Sequence, residues 1–397
     1  METDVSRWQS LEFLKNRFRE YYETTHIELP DRFGKREFAF VFFGGKGMFR
    51  HLSFEKKEHF QRFIQEKHPA HAYYSTAYYQ QPDASTMQEK TWMGAELIFD
   101  LDSDHLPGAE SMSYAESLDK VKHEFFKLVQ DFLINDFGFK ERYLDLYFSG
   151  GRGYHCHVKD PRILRLGSNE RREIVDYITG RDLQDSLVFH ETVTDKRQIG
   201  GRDVASGKSL TMPAPSEPGW KGRISRGIID IVDDILTSDS PVDKLREYGV
   251  KEKDAERLMQ DLSGERVQRI REGKLDQSKT IRKFFLNSAL RKTAVSMCAG
   301  ETDEPVTCDV KRLIRLPSSL HGKTGLKVTR ITLDDLQDFD PLREAVVFNS
   351  NPVNVDVKES VHMRMNDEDF QLHPGVQQIP QYLAVFLIGR NMAIIPQ

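Results

Sequence analysis

Apolar residues recur every three or four positions in several parts of the chain, which is the spacing of the buried face of an amphipathic helix. The clearest case is 118–139, where the apolar stripe includes Leu118, Val121 and Phe125 and where Gly138 follows as a stop signal. Four helices are predicted in the first half of the chain, over about 6–23, 54–68, 118–139 and 167–180.

Runs of β-branched and aromatic residues lie between these helices and predict strands. The runs at 36–43 and 48–54 are joined by the turn sequence GGKG at 44–47, which indicates a β-hairpin. The run at 95–104 stays apolar until its carboxylates, and 143–160 has the pattern of a strand, a Gly-rich turn and a second strand. Further strands are predicted over 71–80, 306–317 and 326–333.

The pattern changes in the middle of the chain. The stretch 195–223 is rich in Gly, Pro and Ser, which predicts a loop, and 240–300 is highly charged with helical spacing. We therefore predict an α/β (α+β) fold in which a mixed-sheet core is interrupted by a mostly helical subdomain. The predicted core comprises 1–235 and 301–397, and the predicted subdomain comprises 236–300.

The composition excludes several classes of protein. The chain has 397 residues, 38% of them hydrophobic, and its longest apolar run, at 382–389, is shorter than the roughly 20 residues of a membrane span. The N-terminus has no basic segment followed by an apolar one, so no signal peptide is expected. The three cysteines, Cys156, Cys298 and Cys308, are far apart, which argues against a disulfide framework and favours a cytoplasmic protein. The net charge of −5 leaves room for a basic cleft on an acidic body.

Two carboxylates end a predicted buried strand. Asp100 and Asp102 are two residues apart, so in a strand their side chains point to the same face, where they repel unless a cation lies between them. Mg²⁺ takes such oxygen ligands together with substrate phosphates. A solvated strand end would show the same D-x-D pattern. The best candidate for a third ligand is Asp309, in another stretch with strand character; the alternative is an exposed partner for Lys311 or Arg312.

The sequence SGGRGYHCH at 149–157 predicts a phosphate-binding turn. Its glycines permit a close approach of the backbone to a phosphate group. Ser149, Arg152 and His155 supply hydrogen-bond donors for phosphate oxygens. The alternative is a plain hairpin turn whose histidine packs in the core.

A basic segment, KRLIRLPSSLHGKTG, occupies 311–325. Its charged residues include Arg315 and His321, and apolar residues alternate with the charges. A strand with basic residues on one face, followed by a polar turn, suits a triphosphate group. The alternative is a solvated, charged strand.

With the carboxylate strand, the Gly-rich turn and the basic strand in this order, the sequence resembles the small, catalytic subunit of archaeal and eukaryotic DNA primases, in its archaeal form. The resemblance covers nearly the whole chain. It is carried by the segments REFAF, FRHLSF, ELIFDLD, FSGGRGYHCHV, LIRLPSSLHGKTG, FDPLREAVVF and IPQYLAVFLI.

The resemblance implies an enzyme that makes short RNA primers, and in some archaea DNA strands, on single-stranded DNA from nucleoside triphosphates. It implies two-metal nucleotidyl transfer, with Mg²⁺ or Mn²⁺ held by Asp100, Asp102 and Asp309. It also implies a large primase subunit as partner, which carries an iron–sulfur cluster for which this chain lacks the cysteines. The residues expected at the incoming nucleotide are Ser149, Arg152, His155, Arg315, His321, Glu37 and Arg50.

The sequence departs from the family in one respect. Many members carry a small zinc-binding knuckle soon after the D-x-D strand, but 104–120 contains no cysteine here. His105 alone cannot complete a tetrahedral site, so no zinc is expected. The preference for ribo- or deoxyribonucleotides stays open.

Two other functions fit the same residues. A repair or translesion polymerase of the same superfamily would extend an existing primer but would not start one. A non-catalytic nucleic-acid-binding subunit would bind without metal and incorporate no nucleotide, and the intact carboxylates argue against it.

Overall fold

The computed structural model describes residues 4–105, 108, 112–181, 183, 190–199, 202–262, 264–275, 279–285 and 288–397. Helices and antiparallel sheets are mixed along the chain, which confirms the α+β class. The helices are α1 (Asp4–Thr24), α2 (Lys57–Lys67), α3 (Met87–Lys90), α4 (Tyr114–Lys127), α5 (Ser168–Thr179), α6 (Gly219–Thr237), α7 (Pro241–Glu247), α8 (Glu252–Asp261), α9 (Glu265–Arg271), α10 (Lys279–Phe285), α11 (Ser288–Cys298), α12 (Glu304–Cys308), α13 (Pro341–Glu344) and α14 (Gln381–Gly389).

The strands account for most of the remaining regular structure. They are β1 (Phe38–Val41), β2 (Phe49–Leu52), β3 (His71–Ser75), β4 (Ala77–Tyr79), β5 (Trp92–Ala95), β6 (Leu97–Asp102), β7 (Leu144–Phe148), β8 (Gly153–Val158), β9 (His190–Ile199), β10 (Arg202–Thr211), β11 (Leu313–Arg315), β12 (Thr329–Ile331), β13 (Pro352–Val357), β14 (Val361–Met365), β15 (Glu368–Leu372), β16 (Gly375–Pro380) and β17 (Ala393–Ile394).

The chain divides into two compact units, the second of which interrupts the first. The interruption was predicted at 236–300, whereas the second compact unit begins at Asp176 and so includes the β9–β10 hairpin and α6. Unit 1 comprises Met1–Val129, Phe139–Val175 and Thr302–Gln397, and unit 2 comprises Gln130–Gly138 and Asp176–Glu301.

Unit 1 is built on two four-stranded antiparallel sheets. The first has the strand order β11-β3-β1-β2 and includes the predicted β1–β2 hairpin; the second has the order β12-β7-β8-β6. A helix packs on one face of each sheet. Phe38 of β1 lies 5.2 Å from Phe60 of α2, and Phe125 of α4 stacks on Tyr154 of β8 at 5.4 Å, measured between ring centroids. Aromatic burial of this kind dominates the energetics of a core.

Unit 2 consists of the β9–β10 hairpin and the helices α6 to α11. A buried ion pair joins α6 to the segment Gln130–Gly138: Arg223 Nη1 lies 2.7 Å from Asp136 Oδ2. The same guanidinium lies 3.9 Å from the ring centroid of Phe132. The charge is therefore both paired and packed against an aromatic face, as a buried arginine requires.

Two stretches were assigned the wrong local structure from sequence. The predicted loop at 195–223 was wrong, because β10 pairs with β9 through Thr211 and α6 begins at Gly219. The Gly and Ser content of this stretch suggested a loop because composition alone does not show that a partner strand pairs with it. The predicted strand at 306–317 was also wrong over its first part. Asp303 accepts a hydrogen bond from the Val306 N–H at 3.3 Å and so caps α12, and only Leu313–Arg315 are extended.

The apolar run near the C-terminus is a helix. Every residue of α14 from Gln381 to Ile388 is buried, so this apolar run is part of the core. Within the part of the chain that the structure describes, no helix is both long enough and apolar enough to cross a bilayer.

Candidate active site

Strand β6 carries the predicted carboxylate pair at its end. Leu97, Phe99 and Leu101 are buried on one face of the strand, whereas Asp100 and Asp102 are partly exposed on the other. This alternation confirms that the two carboxylates share a face and end a buried strand.

Strand β8 brings the Gly-rich turn to the same place. In the antiparallel β6–β8 register, Asp100 is opposite His155 and Asp102 is opposite Gly153. His155 Nε2 lies 3.3 Å from Asp100 Oδ1. Burial alone would raise the pKa of Asp100, but His155 together with the charges of Arg312 and Arg315 lowers it overall. These groups therefore favour the carboxylate form of Asp100.

Asp102 has the opposite electrostatic situation. Burial raises the pKa of Asp102, and the negative charges of Asp100 and Asp104 raise it further. Its carboxylate accepts a hydrogen bond from the Asp104 N–H at 3.4 Å. A cation between Asp100 and Asp102 would relieve this repulsion.

Glycines set the shape of the turn between β7 and β8. Gly150 has φ 74, a left-handed conformation that glycine adopts without strain. A Cβ on Gly153 would lie 2.0 Å from the Leu101 carbonyl oxygen, so only glycine lets β8 approach the carboxylate strand this closely. The Ser149 Oγ accepts hydrogen bonds from the N–H groups of Gly151 and Gly153, at 3.2 and 3.3 Å, and fixes the turn.

The predicted basic residues lie on the other sheet of unit 1. Arg315 of β11 is opposite Tyr73 of β3, and its guanidinium lies 5.2 Å from the centroid of that ring. His71 Nδ1 lies 2.8 Å from Arg315 Nη1, and the ring of His321 meets His71 edge-on at 4.9 Å. Burial and the Arg315 charge hold the pKa of His321 well below its usual range, so its imidazole is neutral.

These parts line one cavity of about 560 Å³ within unit 1. Five cationic and three acidic side chains face it, which leaves an excess of two positive charges before any metal binds. Such a cavity attracts a polyanion. Seven predicted residues line it: Asp100, Asp102, Ser149, Arg152, His155, Arg315 and His321.

Asp309 is not among the residues that line the cavity. It is exposed, and its Oδ1 accepts a hydrogen bond from the Lys311 N–H at 2.9 Å, which is close to the alternative interpretation given from the sequence. Another acidic residue, Asp303, contacts the carboxylate strand through its backbone: its N–H donates to the Asp100 carbonyl oxygen at 3.0 Å, while its carboxylate caps α12. Its position before α12 gave no sign of this contact in the sequence.

Glu37 and Arg50 pair with each other and are also absent from the cavity lining. Arg50 Nε donates to Glu37 Oε1 at 3.1 Å, and the buried Lys90 Nζ lies 2.5 Å from Glu37 Oε2. These two cations offset the burial of Glu37 and lower its pKa. The structure therefore shows an ion-pair cluster around the buried Glu37, and the contact of Glu37 and Arg50 with a nucleotide stays a prediction.

Arg312 and Lys323 also line the cavity, and both belong to the predicted basic segment 311–325. Three other charged or aromatic residues of the lining were missed from sequence: Asp104, Tyr73 and Arg390. Asp104 forms an ion pair with Arg152, which holds that arginine at the cavity. Tyr73 and Arg390 reach the cavity through the tertiary fold.

The cavity suits a divalent cation in part. Among the described residues, no group of three or more His, Cys, Asp or Glu side chains is arranged to hold a metal ion. Two carboxylates on one face, one with a raised pKa, match the limited protein ligation of Mg²⁺, which retains water and takes substrate phosphates. The stretch 104–120, where the family zinc knuckle would fall, lies partly outside the described residues.

Comparison with known proteins gives the family. Residues 99–333 match the family model described as DNA primase small subunit. The chain is 42% identical to the DNA primase small subunit PriS of Methanothrix thermoacetophila over 96% of this chain and 98% of that protein. It is 41% identical to the PriS of Methanocella arvoryzae, over 97% and 98%, and 38% identical to that of Halobacterium salinarum, over 96% and 97%. The chain belongs to the DNA primase small-subunit family.

Proposed function

We propose that this chain is the catalytic subunit of a primase. It starts short RNA or DNA strands on single-stranded DNA by two-metal nucleotidyl transfer. The observation that carries the proposal is the pairing of Asp100 with His155 across β6 and β8, inside a cavity with an excess of positive charge. Family membership supports the same reaction.

The carboxylate pair would hold the metal. Asp100 and Asp102 present oxygen ligands on one face, and Asp309 is proposed as the third ligand from the family resemblance. Bound Mg²⁺ or Mn²⁺ would supply charge neutralisation at the reacting oxygens and lower the pKa of a coordinated hydroxyl. His155, Arg312 and Arg315 together lower the pKa of Asp100, which favours the carboxylate that a metal ligand requires.

The rest of the cavity would bind the incoming nucleoside triphosphate. Arg152 and Arg315 offer planar forks that suit phosphate oxygens, and the neutral His321 can donate one hydrogen bond. Ser149 shapes the turn on which Arg152 is carried. These groups position the substrate before reaction, which is the main protein contribution to phosphoryl transfer.

A partner is also proposed. The relatives are named small subunits, which supports a large subunit as companion. The iron–sulfur cluster expected in that partner cannot be ligated by the three cysteines of this chain, two of which, Cys156 and Cys308, are buried.

The test is synthesis on a single-stranded DNA template with labelled nucleotides and Mg²⁺ or Mn²⁺, run with and without a primer. A primase gives product without a primer, whereas an extending polymerase requires one and a binding subunit gives none. Parallel reactions with ribo- and deoxyribonucleotides measure the sugar preference. The double variant Asp100→Ala, Asp102→Ala should lose all product; wild-type yield from it would refute the assignment.

A further inference from the structure

Arg390 lies in the candidate active site although it comes from the last helix of the chain. It is the first residue after α14, and with Gly389 and Asn391 it lines the same cavity as Asp100 and Asp102. The motifs that predicted the site do not include Arg390.

A close backbone contact places Arg390 there. Gly389 packs against the turn that contains Lys323, and a Cβ on residue 389 would lie 2.6 Å from the Lys323 carbonyl oxygen. No side chain fits at that distance, so glycine is required for the end of α14 to reach this turn. The contact brings Arg390 and Lys323 into one cavity lining.

Two aromatic rings support the Arg390 guanidinium. Its central carbon lies 4.8 Å from the ring centroid of Tyr114 and 5.3 Å from that of Phe386. The Tyr114 hydroxyl in turn donates to the Gly151 carbonyl oxygen at 2.5 Å. The two rings therefore hold the guanidinium next to the Gly-rich turn, so that little conformational entropy is lost when it binds a ligand.

The charge of Arg390 is only partly offset by the protein. Its guanidinium has no hydrogen-bond or ion-pair acceptor in the ranges that the structure describes, whereas Arg152 is paired with Asp104. Burial and the nearby positive charge of Arg152 lower the pKa of Arg390, and the weaker influence of Tyr114 and Asp104 does not restore it. An anion bound between the two guanidinium groups would supply the missing acceptor and remove this repulsion.

We propose that Arg390 is a phosphate-binding residue of the nucleotide site, supplied by the C-terminal helix to the triphosphate of the incoming nucleotide. The inference rests on the proposed function for the identity of the substrate. The group that Arg390 would recognise is a linear triphosphate, whether free or attached to a nucleoside.

The test is equilibrium binding to the full chain, without DNA and without turnover. The probes are inorganic tripolyphosphate and a fluorescent, non-hydrolysable nucleoside triphosphate. Arg390→Ala should weaken the binding of both roughly 10- to 100-fold, the range for one hydrogen bond to a charged group. Arg390→Lys should fall between, because it keeps the charge without the planar fork.

Two further variants serve as controls. Arg19→Ala removes an exposed arginine paired only with Glu23, and it should bind both probes like wild type. Gly389→Ala keeps every charge but displaces the end of α14, so it should weaken binding as well. Thermal melting of each variant identifies loss of fold. If Arg390→Ala does not fold, Arg390→Lys is compared with the wild-type protein instead.

Wild-type affinity of Arg390→Ala for tripolyphosphate would overturn the proposal. This result is distinct from failure of the primase assignment. If the wild-type protein bound triphosphate through Arg390 but made no strand on a template, the inference would stand and the proposed function would fall.

Discussion

His155 Nε2 and Asp100 Oδ1 lie 3.3 Å apart at directly opposite positions of the β6–β8 strand pair. The two residues belong to separate motifs, and the strand register makes them one site. This contact and the charges of Arg312 and Arg315 lower the pKa of Asp100 in spite of burial, whereas burial and the neighbouring carboxylates raise the pKa of Asp102. The carboxylate pair is therefore electrostatically asymmetric before metal or substrate binds.

Removal of His155 should impair the reaction and move its pH dependence. In His155→Ala the pKa of Asp100 should rise, because the histidine is the strongest of the groups that oppose the effect of burial. The ionised carboxylate is then lost at a higher pH, so the acid limb of the pH–rate profile should move upward. Turnover should fall roughly 10- to 100-fold, the cost of one hydrogen bond to a charged group. An unchanged profile in a folded variant would show that His155 does not control Asp100.

Gly153→Ala should separate the carboxylate strand from the Gly-rich turn. The new Cβ would overlap the Leu101 carbonyl oxygen at 2.0 Å, so the strands must part. We expect a loss of about 1–3 kcal/mol in the free energy of unfolding and a larger proportional loss of activity. The matched control is Gly34→Ala, where the nearest atom is 3.7 Å away. Equal effects of the two substitutions on stability and activity would contradict this account.

Asp303 and Asp309 can be compared directly as third acidic residue. Asp303 lies against β6 through its bond to the Asp100 carbonyl, whereas Asp309 is exposed and bonded to Lys311. The Asp303 carboxylate caps α12, so Asp309 is the third ligand under the proposed function. We expect Asp309→Asn to reduce nucleotide incorporation at least tenfold and Asp303→Asn, which keeps an oxygen acceptor for the cap, to reduce it less than twofold. Titration with Mn²⁺ should show weaker metal binding for the first variant only. The reverse order would contradict the assignment of Asp309.

Glu96 should set the acid stability of unit 1. Glu96 is buried, forms an ion pair with Arg36, and lies 3.1 Å from His157 Nδ1. Burial alone would raise the pKa of Glu96, but Arg36 and His157 lower it to about 2. Because the pKa of Glu96 is lower in the folded protein than its unfolded value near 4.5, the ionised group stabilises the fold above pH 4.5. This stabilisation is lost as the pH falls through about 2. The melting temperature should therefore decrease between pH 4.5 and 2.

The control for that window is Glu96→Gln, which keeps the shape and removes the charge. It should be less stable at neutral pH by about 3–5 kcal/mol, because Arg36 stays buried without its counter-charge. Its melting temperature should depend less on pH between 4.5 and 2. Parallel curves for the two proteins would mean that other carboxylates determine the acid transition.

The sequence predicted the parts of the site that are local in the chain. The D-x-D spacing placed Asp100 and Asp102 on one face, and the glycines of the turn indicated a close backbone approach that Gly153 makes. Both follow from backbone geometry, which local residue types control. The two sheets then bring Arg315 and His321 to the same cavity, as the order of motifs suggested.

The missed features depend on contacts between distant segments. Arg390 reaches the cavity only because Gly389 packs on the turn at Lys323, and nothing near Arg390 in the sequence indicates that contact. Asp309 was expected in a strand because an apolar run follows it, whereas the Asp303 cap and a nearby proline start a helix that ends just before Asp309. The role of Asp309 as a metal ligand stays a prediction. The β9–β10 hairpin was missed because backbone pairing overrode its loop-like composition.

The most direct test of the central claim is a crystal structure of the protein with Mn²⁺ and a non-hydrolysable nucleoside triphosphate. Anomalous scattering locates manganese independently of the surrounding density. The account predicts a Mn²⁺ peak within ligand distance of carboxylate oxygens of both Asp100 and Asp102, about 2.0–2.3 Å, with the triphosphate among the cavity's arginines. A nucleotide bound in that cavity with no metal at the carboxylate pair, or metal bound elsewhere, would contradict it.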